Sequence, residues 1–138
     1  MKLQATATYQ PRGDLGRYID VHITPGVRAS VEASVKLIEA RAKELCPVDT
    51  GALRESITSE VVETSKTVVG FVGTHTDYAA YVEFGTGVAG ASSAGAGEGP
   101  YAMTWPGMPA QPYMRPAIDE SRGPVMELFR SNISVGLR

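Results

Sequence analysis

Between Thr24-Pro25 and Cys46-Pro47 the chain places Val27, Val31, Val35, Ile38, Ala42 and Leu45 at steps of four and three, with Arg28, Glu32, Lys36, Glu39, Arg41 and Lys43 between them. That spacing gathers the apolar side chains into one stripe of a helix and leaves the charges on the remainder. The Thr24 hydroxyl can accept a first-turn N–H, and Pro25 suits the first helical position, where a missing donor is harmless. Pro47 disfavours helical geometry at Cys46 and ends the element. A long helix with one apolar stripe cannot bury that stripe alone, so the rest of the chain must cover it.

Strands are the first candidates for the cover. Leu3, Ala5, Ala7 and Tyr9 alternate with Gln4, Thr6, Thr8 and Gln10, and Ile19, Val21 and Ile23 repeat the pattern beyond the turn chemistry of PRGDLG. Residues 1–24 are therefore expected to form an N-terminal hairpin or arm. ITSEVVET at 57–64 and TVVGFVGT at 67–74 are separated only by Ser65-Lys66, which predicts an antiparallel pair. Near the other end, Met114, Ile118, Val125, Leu128, Phe129 and Ile133 recur at mostly helical steps, with Gly123-Pro124 placed to kink or divide a helix over 113–138. The expected fold is α+β: a small antiparallel sheet packed against a long amphipathic helix and a C-terminal helix. At 138 residues this is one domain with its helix-plus-strand-pair core in 25–84.

Composition excludes several functions. Thirteen basic and fifteen acidic residues give a net charge of −2, so no global basic field draws the chain to nucleic acid. Cys46 stands alone and His22 and His75 are far apart, which argues against a disulfide, a Cys/His metal site or any cofactor ligation. The opening MKLQATATYQ has no apolar run of the export type, and no membrane span is expected.

VDTGAL at 48–53 contains the Asp-Thr-Gly triplet of retroviral-type aspartic peptidases. In those enzymes the triplet follows a buried strand, and its aspartate shares a proton with a twin. Here a long helix precedes it and LRES follows, so the expectation is that Asp49 and Thr50 cap the short helix GALRES and that Gly51 permits close backbone approach. An aspartic peptidase acting through Asp49 remains the alternative from another class. Elsewhere the carboxylates and histidines are scattered rather than convergent, so no catalytic residue is assigned and the chain reads as a non-enzyme.

Asp77 is expected to cap a second short helix, YAAYVEFG, with Tyr78, Tyr81, Val82 and Phe84 inward and Gly85 as terminator. From 85 to 112 the chain has seven glycines, four prolines and one charge, Glu98, which reads as a long flexible loop. GAGEGP lacks the Gly-Lys-Ser/Thr ending of a phosphate loop. Tyr101, Met103, Trp105 and Met108 are apolar residues in this segment, and such side chains seek burial against the domain or a partner.

A helix running into CPVDTGALRESI, a strand pair ending in VGT, then DYAAYVEFGTG, a glycine-rich gap, and PAQPYMRPAIDE before a closing helix resembles the tail-component family of gene product ten of the lambdoid phage HK-ninety-seven. The resemblance spans about residues 27 to 134. It implies a virion structural protein of the phage neck, made in the host cytoplasm and assembled as a homo-oligomeric ring, hexamer or dodecamer. Its implied partners are other copies of itself, the connector and the tail tube, with non-specific contact to DNA in the central channel. The motif residues and candidate subunit contacts are Asp49, Thr50, Gly51, Leu53 and Arg54; Tyr81, Glu83, Phe84 and Gly85; Tyr101 and Trp105; and Tyr113, Arg115 and Pro116. Arg54 and Glu83, opposite in charge, are expected to pair within the protomer or across subunits. A phage-encoded binding module outside the particle is the second alternative. Residues 2–24 replace the more usual helical lead-in of the family.

Overall fold

The computed structural model describes residues 2–8, 24–64, 67–87 and 106–136. Strand β1 is Lys2–Thr8, helix α1 Thr24–Leu45, helix α2 Ala52–Ser56, strand β2 Ile57–Glu63, strand β3 Thr67–Thr74, helix α3 Ala79–Phe84 and helix α4 Met114–Gly136. The fold is α+β. Its antiparallel sheet has the order β1-β3-β2, and α1 packs against β2 and β3 and against α4.

The β2–β3 pair is the one expected from sequence, and Thr64 N–H donates to Thr67 O at 2.8 Å across the tight connection. Its register sets Ile57 opposite Thr74 and Glu63 opposite Val68. The N-terminal strand also joins this sheet, a pairing not expected from sequence. Leu3, Ala5 and Ala7 lie opposite Val72, Gly70 and Val68, so β1 lines the far edge of β3. The second half of the expected hairpin, 18–23, lies outside the described residues.

The helix α1 carries two contact rows. Val31 and Val35 are buried, and a side chain at Gly70 would run into both of them at Cγ1; the absence of one at mid-strand brings β3 close to the helix. Gly26, Ser30 and Ser34 form the other row, beside α4. A Cβ at Gly26 would stand 2.7 Å from Asn132 O, and Asn132 Nδ2 donates to Ser30 Oγ at 3.1 Å. Ser30 and Ser34 are buried yet satisfied, each donating to the carbonyl four residues earlier, Gly26 O at 2.7 Å and Ser30 O at 2.6 Å. Small residues let the two helix backbones approach, which the apolar stripe alone does not reveal.

On the charged side of α1, Glu39 accepts from Lys43 Nζ at 2.7 Å, Lys36 Nζ at 3.1 Å and Ser59 Oγ of β2. Burial alone would raise this carboxyl, but the hydrogen bonds from Lys43, Ser59 and Lys36 outweigh it and lower its pKa to about 2. Arg41 bridges to Glu44 on its own helix and to Glu120 on α4.

Helix α4 runs as one element through Pro124. Proline removes one helical donor, but Glu120 and Pro124 are both exposed, so water can serve the freed carbonyl. The core lies where α1, α2 and the start of α4 meet the sheet: Ala42, Cys46, Leu53, Ile57, Val72, Ala79, Tyr113, Met114 and Ala117 are all buried there.

Candidate functional site

Beyond Cys46-Pro47 the chain turns through Val48, Asp49 and Thr50 into α2. Gly51 sits at φ +85°, a left-handed conformation that glycine adopts without strain, and its carbonyl accepts Glu55 N–H at 3.0 Å. Its role is this turn and not close approach, since a Cβ there would meet only Glu55 Oε1 at 3.9 Å. The expected aspartate cap is absent. No side chain caps α2 at Gly51; Thr50 Oγ1 accepts only a long 3.4 Å bond from Ala52 N–H, and Asp49 is exposed. Leu53 points into the core. Ser56, Thr74 and Thr76 join hydroxyl to hydroxyl, fastening the end of α2 to the end of β3.

Helix α3 lies alongside this turn, rotated from the expected orientation. Ala79 and Glu83 are buried, whereas Tyr78 and Tyr81 are 45% and 58% exposed. A six-residue helix beside small residues buries one narrow face, and here Ala79 and a hydrogen-bonded carboxylate occupy it. Asp77 does not cap it: no side-chain cap is present, and Ala79 N–H donates to Thr76 O at 3.1 Å.

Glu83 explains the rotation. Its Oε2 accepts the N–H groups of Tyr113 at 2.7 Å and Met114 at 2.9 Å, and its Oε1 accepts Arg115 N–H at 2.9 Å. These are donors that the start of α4 leaves without helical partners, and a carboxylate also complements the positive end of the helix dipole. Within the protomer no Arg54–Glu83 ion pair is formed among the described residues, and Arg54 is exposed on α2. Arg115 instead places its guanidinium 5.9 Å from the centroid of Phe84.

Tyr113, fully buried, is held at the joint, and its hydroxyl has no partner among the described residues. Burial raises that hydroxyl to about 12 and also raises the neighbouring Cys46 thiol, which is buried in the core.

A groove of about 540 Å³ opens between the Pro47–Gly51 turn and α3, with Met108 and Gln111 closing its third side. Asp49, Thr50, Gly51, Leu53 and Tyr81 line it, so five of the expected contact residues come together there. Glu83, Phe84, Gly85, Tyr113, Arg115 and Pro116 gather behind it at the α3–α4 joint, and Tyr101 and Trp105 lie outside the described residues. Val48 and Gln111 belong to the groove but were not singled out from sequence; Tyr78 was expected inward and Met108 to seek burial, and both line it. Their signal was weak: Met108 and Gln111 reach it only because Thr86 and Met108 exchange backbone hydrogen bonds at 2.9 and 3.1 Å and Gln111 N–H donates to Val82 O at 2.8 Å.

The groove's walls are mainly apolar, formed by Pro47, Val48, Leu53, Tyr78, Tyr81, Val82 and Met108. Asp49 is the one carboxylate on its wall, and the described residues hold no cluster of three metal-ligating side chains. Residues 26–85 match the family described as "Bacteriophage HK97-gp10, putative tail-component". Over this span the chain carries the HK97-gp10-like pattern. The HK97-gp10-like segment contains both the VDTGAL turn and the YVEFGT helix, hence two of the groove's three sides; the QPYMRPA block lies beyond it. No curated protein and no solved structure matches the chain. The family's description is that of a phage tail component, and no helix among the described residues is long and apolar enough to cross a membrane.

Proposed function

We propose that this tail component acts in the neck of the particle, as a homo-oligomeric ring that joins the DNA-filled head to the tail. The observation that carries the reading is the groove: the two sequence blocks of the HK97-gp10-like segment converge on it, and it leaves Val48, Tyr78 and Tyr81 uncovered on a wall anchored through Glu83. Exposed aromatic and aliphatic side chains clustered around a concavity are what a subunit contact requires. The neighbours in such a neck are further copies, in six- or twelvefold repeat, with the connector above and the tail tube below. DNA passing through the ring would meet a chain with net charge −2, which suits passage without adhesion.

Tyr81→Arg tests the reading. It places a charge on the groove wall at an exposed position, so the protomer should fold normally while the yield of joined particles falls by at least tenfold, with filled heads and free tails accumulating. Normal infectious yield from this variant would refute the role of the groove.

A further inference from the structure

Helix α4 carries a glycine that its own protomer does not require. An added Cβ at Gly26 or Gly70 would run into neighbouring atoms, and Gly51 needs its left-handed φ. At Gly123 an added Cβ would meet nothing within 4 Å, and the backbone is helical. Glycine followed by proline weakens a helix interior, so within the protomer this pair only loosens α4. Both residues are exposed, and Met126, one turn on, is 56% exposed. A small residue beside a projecting methionine makes a ridge on which another surface can sit close to the helix backbone.

We infer that this ridge of α4, Arg122 and Met126 with Gly123 beside them, docks in the groove of a second copy of the chain, with Met126 among Val48, Tyr78 and Tyr81 and with Arg122 facing Asp49. A ring closed by rotation joins two unlike faces, so the groove of one copy needs a different surface on the next. Apart from the groove's own residues, the exposed large apolar side chains among the described residues are Leu37, Val62 and Met126. Charge separates the three. Val62 shares its face of β2 with Glu60, which has the same sign as Asp49 on the groove wall. Leu37 is the least exposed, and Arg41, one turn further, is already held by Glu44 and Glu120. Met126 has Arg122 one turn before it on the same side of the helix. That guanidinium pairs with Asp119 at 3.0 Å through two largely exposed side chains, a contact weak enough in water for a carboxylate at an interface to replace. The protomer's own groove is out of reach, because the continuous helix holds Met126 roughly 18 Å along its axis from Met114 at the α3 joint. The inference rests on the assembly of copies proposed above and not on the neck location.

The test compares the full chain, Tyr81→Arg and Met126→Arg by sedimentation across a hundredfold range of concentration. Each variant should unfold within a few degrees of the parent, because each changed position is exposed. The full chain should self-associate, and each variant alone should need roughly tenfold more protein or above to do so. An equimolar mixture should form a one-to-one complex at the parental concentration, because Tyr81→Arg supplies the ridge and Met126→Arg the groove. Asp49→Arg should weaken association in the same way, and Arg122→Asp in the same chain should restore it. If Met126→Arg associates as the full chain does, if the mixture is no stronger than its components, or if the charge exchange restores nothing, the ridge is overturned while the assembly of copies stands. A full chain that stays monomeric throughout would overturn both.

Discussion

The carboxylate of Glu83 accepts the backbone N–H of Tyr113 at 2.7 Å, thirty residues further along the chain, and so fastens the end of α3 to the start of α4. It also accepts from Met114 and Arg115, and the Val82–Gln111 and Thr86–Met108 backbone bonds tie the same two stretches together. Removing the carboxylate should therefore reach beyond α3. Glu83→Ala would leave three helix-start donors without an acceptor, two of them on fully buried residues, for a loss of about 3 kcal/mol in chemical denaturation. Glu83→Gln keeps one acceptor oxygen and should lose roughly half as much. A loss below about 1 kcal/mol from the alanine variant would mean that the cap contributes little to stability.

The turn before α2 separates a conformational requirement from a side-chain one. Gly51→Ala should destabilise by about 1–2 kcal/mol because φ +85° is unfavourable for a residue with a Cβ. Asp49→Ala, exposed and bonded to no helix-start N–H, should fall within about 0.5 kcal/mol of the parent. Urea midpoints for the two variants give the comparison directly, and the reverse order would restore Asp49 as the cap.

Glu39 predicts a pH dependence. Its carboxyl is lowered from 4.5 to about 2 in the folded chain, so the folded state binds the proton less readily than the unfolded one. The resulting stabilisation is fully present above pH 4.5 and fades as pH falls toward 2, with an upper limit of about 3 kcal/mol. Against Glu39→Gln, the parent's extra stability measured by denaturant unfolding should shrink steadily between pH 5 and pH 2. A constant difference over that interval would remove Glu39 as its source.

Helix α1 was legible because one apolar stripe of six residues has a single reading, and the β2–β3 pair because two residues cannot join strands in any other way. The partner of β1 was not: alternation identifies a strand, but pairing Leu3 with Val72 depends on the whole sheet. Gly26, Ser30 and Ser34 read as polar or neutral positions, yet they face α4, because small side chains with self-satisfying hydroxyls permit close helix packing. At the site, Asp49 through Leu53 and Tyr81 were recognisable as a motif, whereas the role of Glu83 was hidden. Local capping patterns connect residues three apart, and this cap connects residues thirty apart. Tyr78 and Tyr81 were expected inward as aromatics; the inward face of α3 was already taken by Ala79 and Glu83.

The most direct measurement is an image reconstruction of the intact particle. The account predicts density for this chain as a closed ring between head and tail, with the Val48, Tyr78 and Tyr81 groove of each copy covered by its neighbour. Its absence from the neck, or a ring in which every groove faces solvent, would contradict the account.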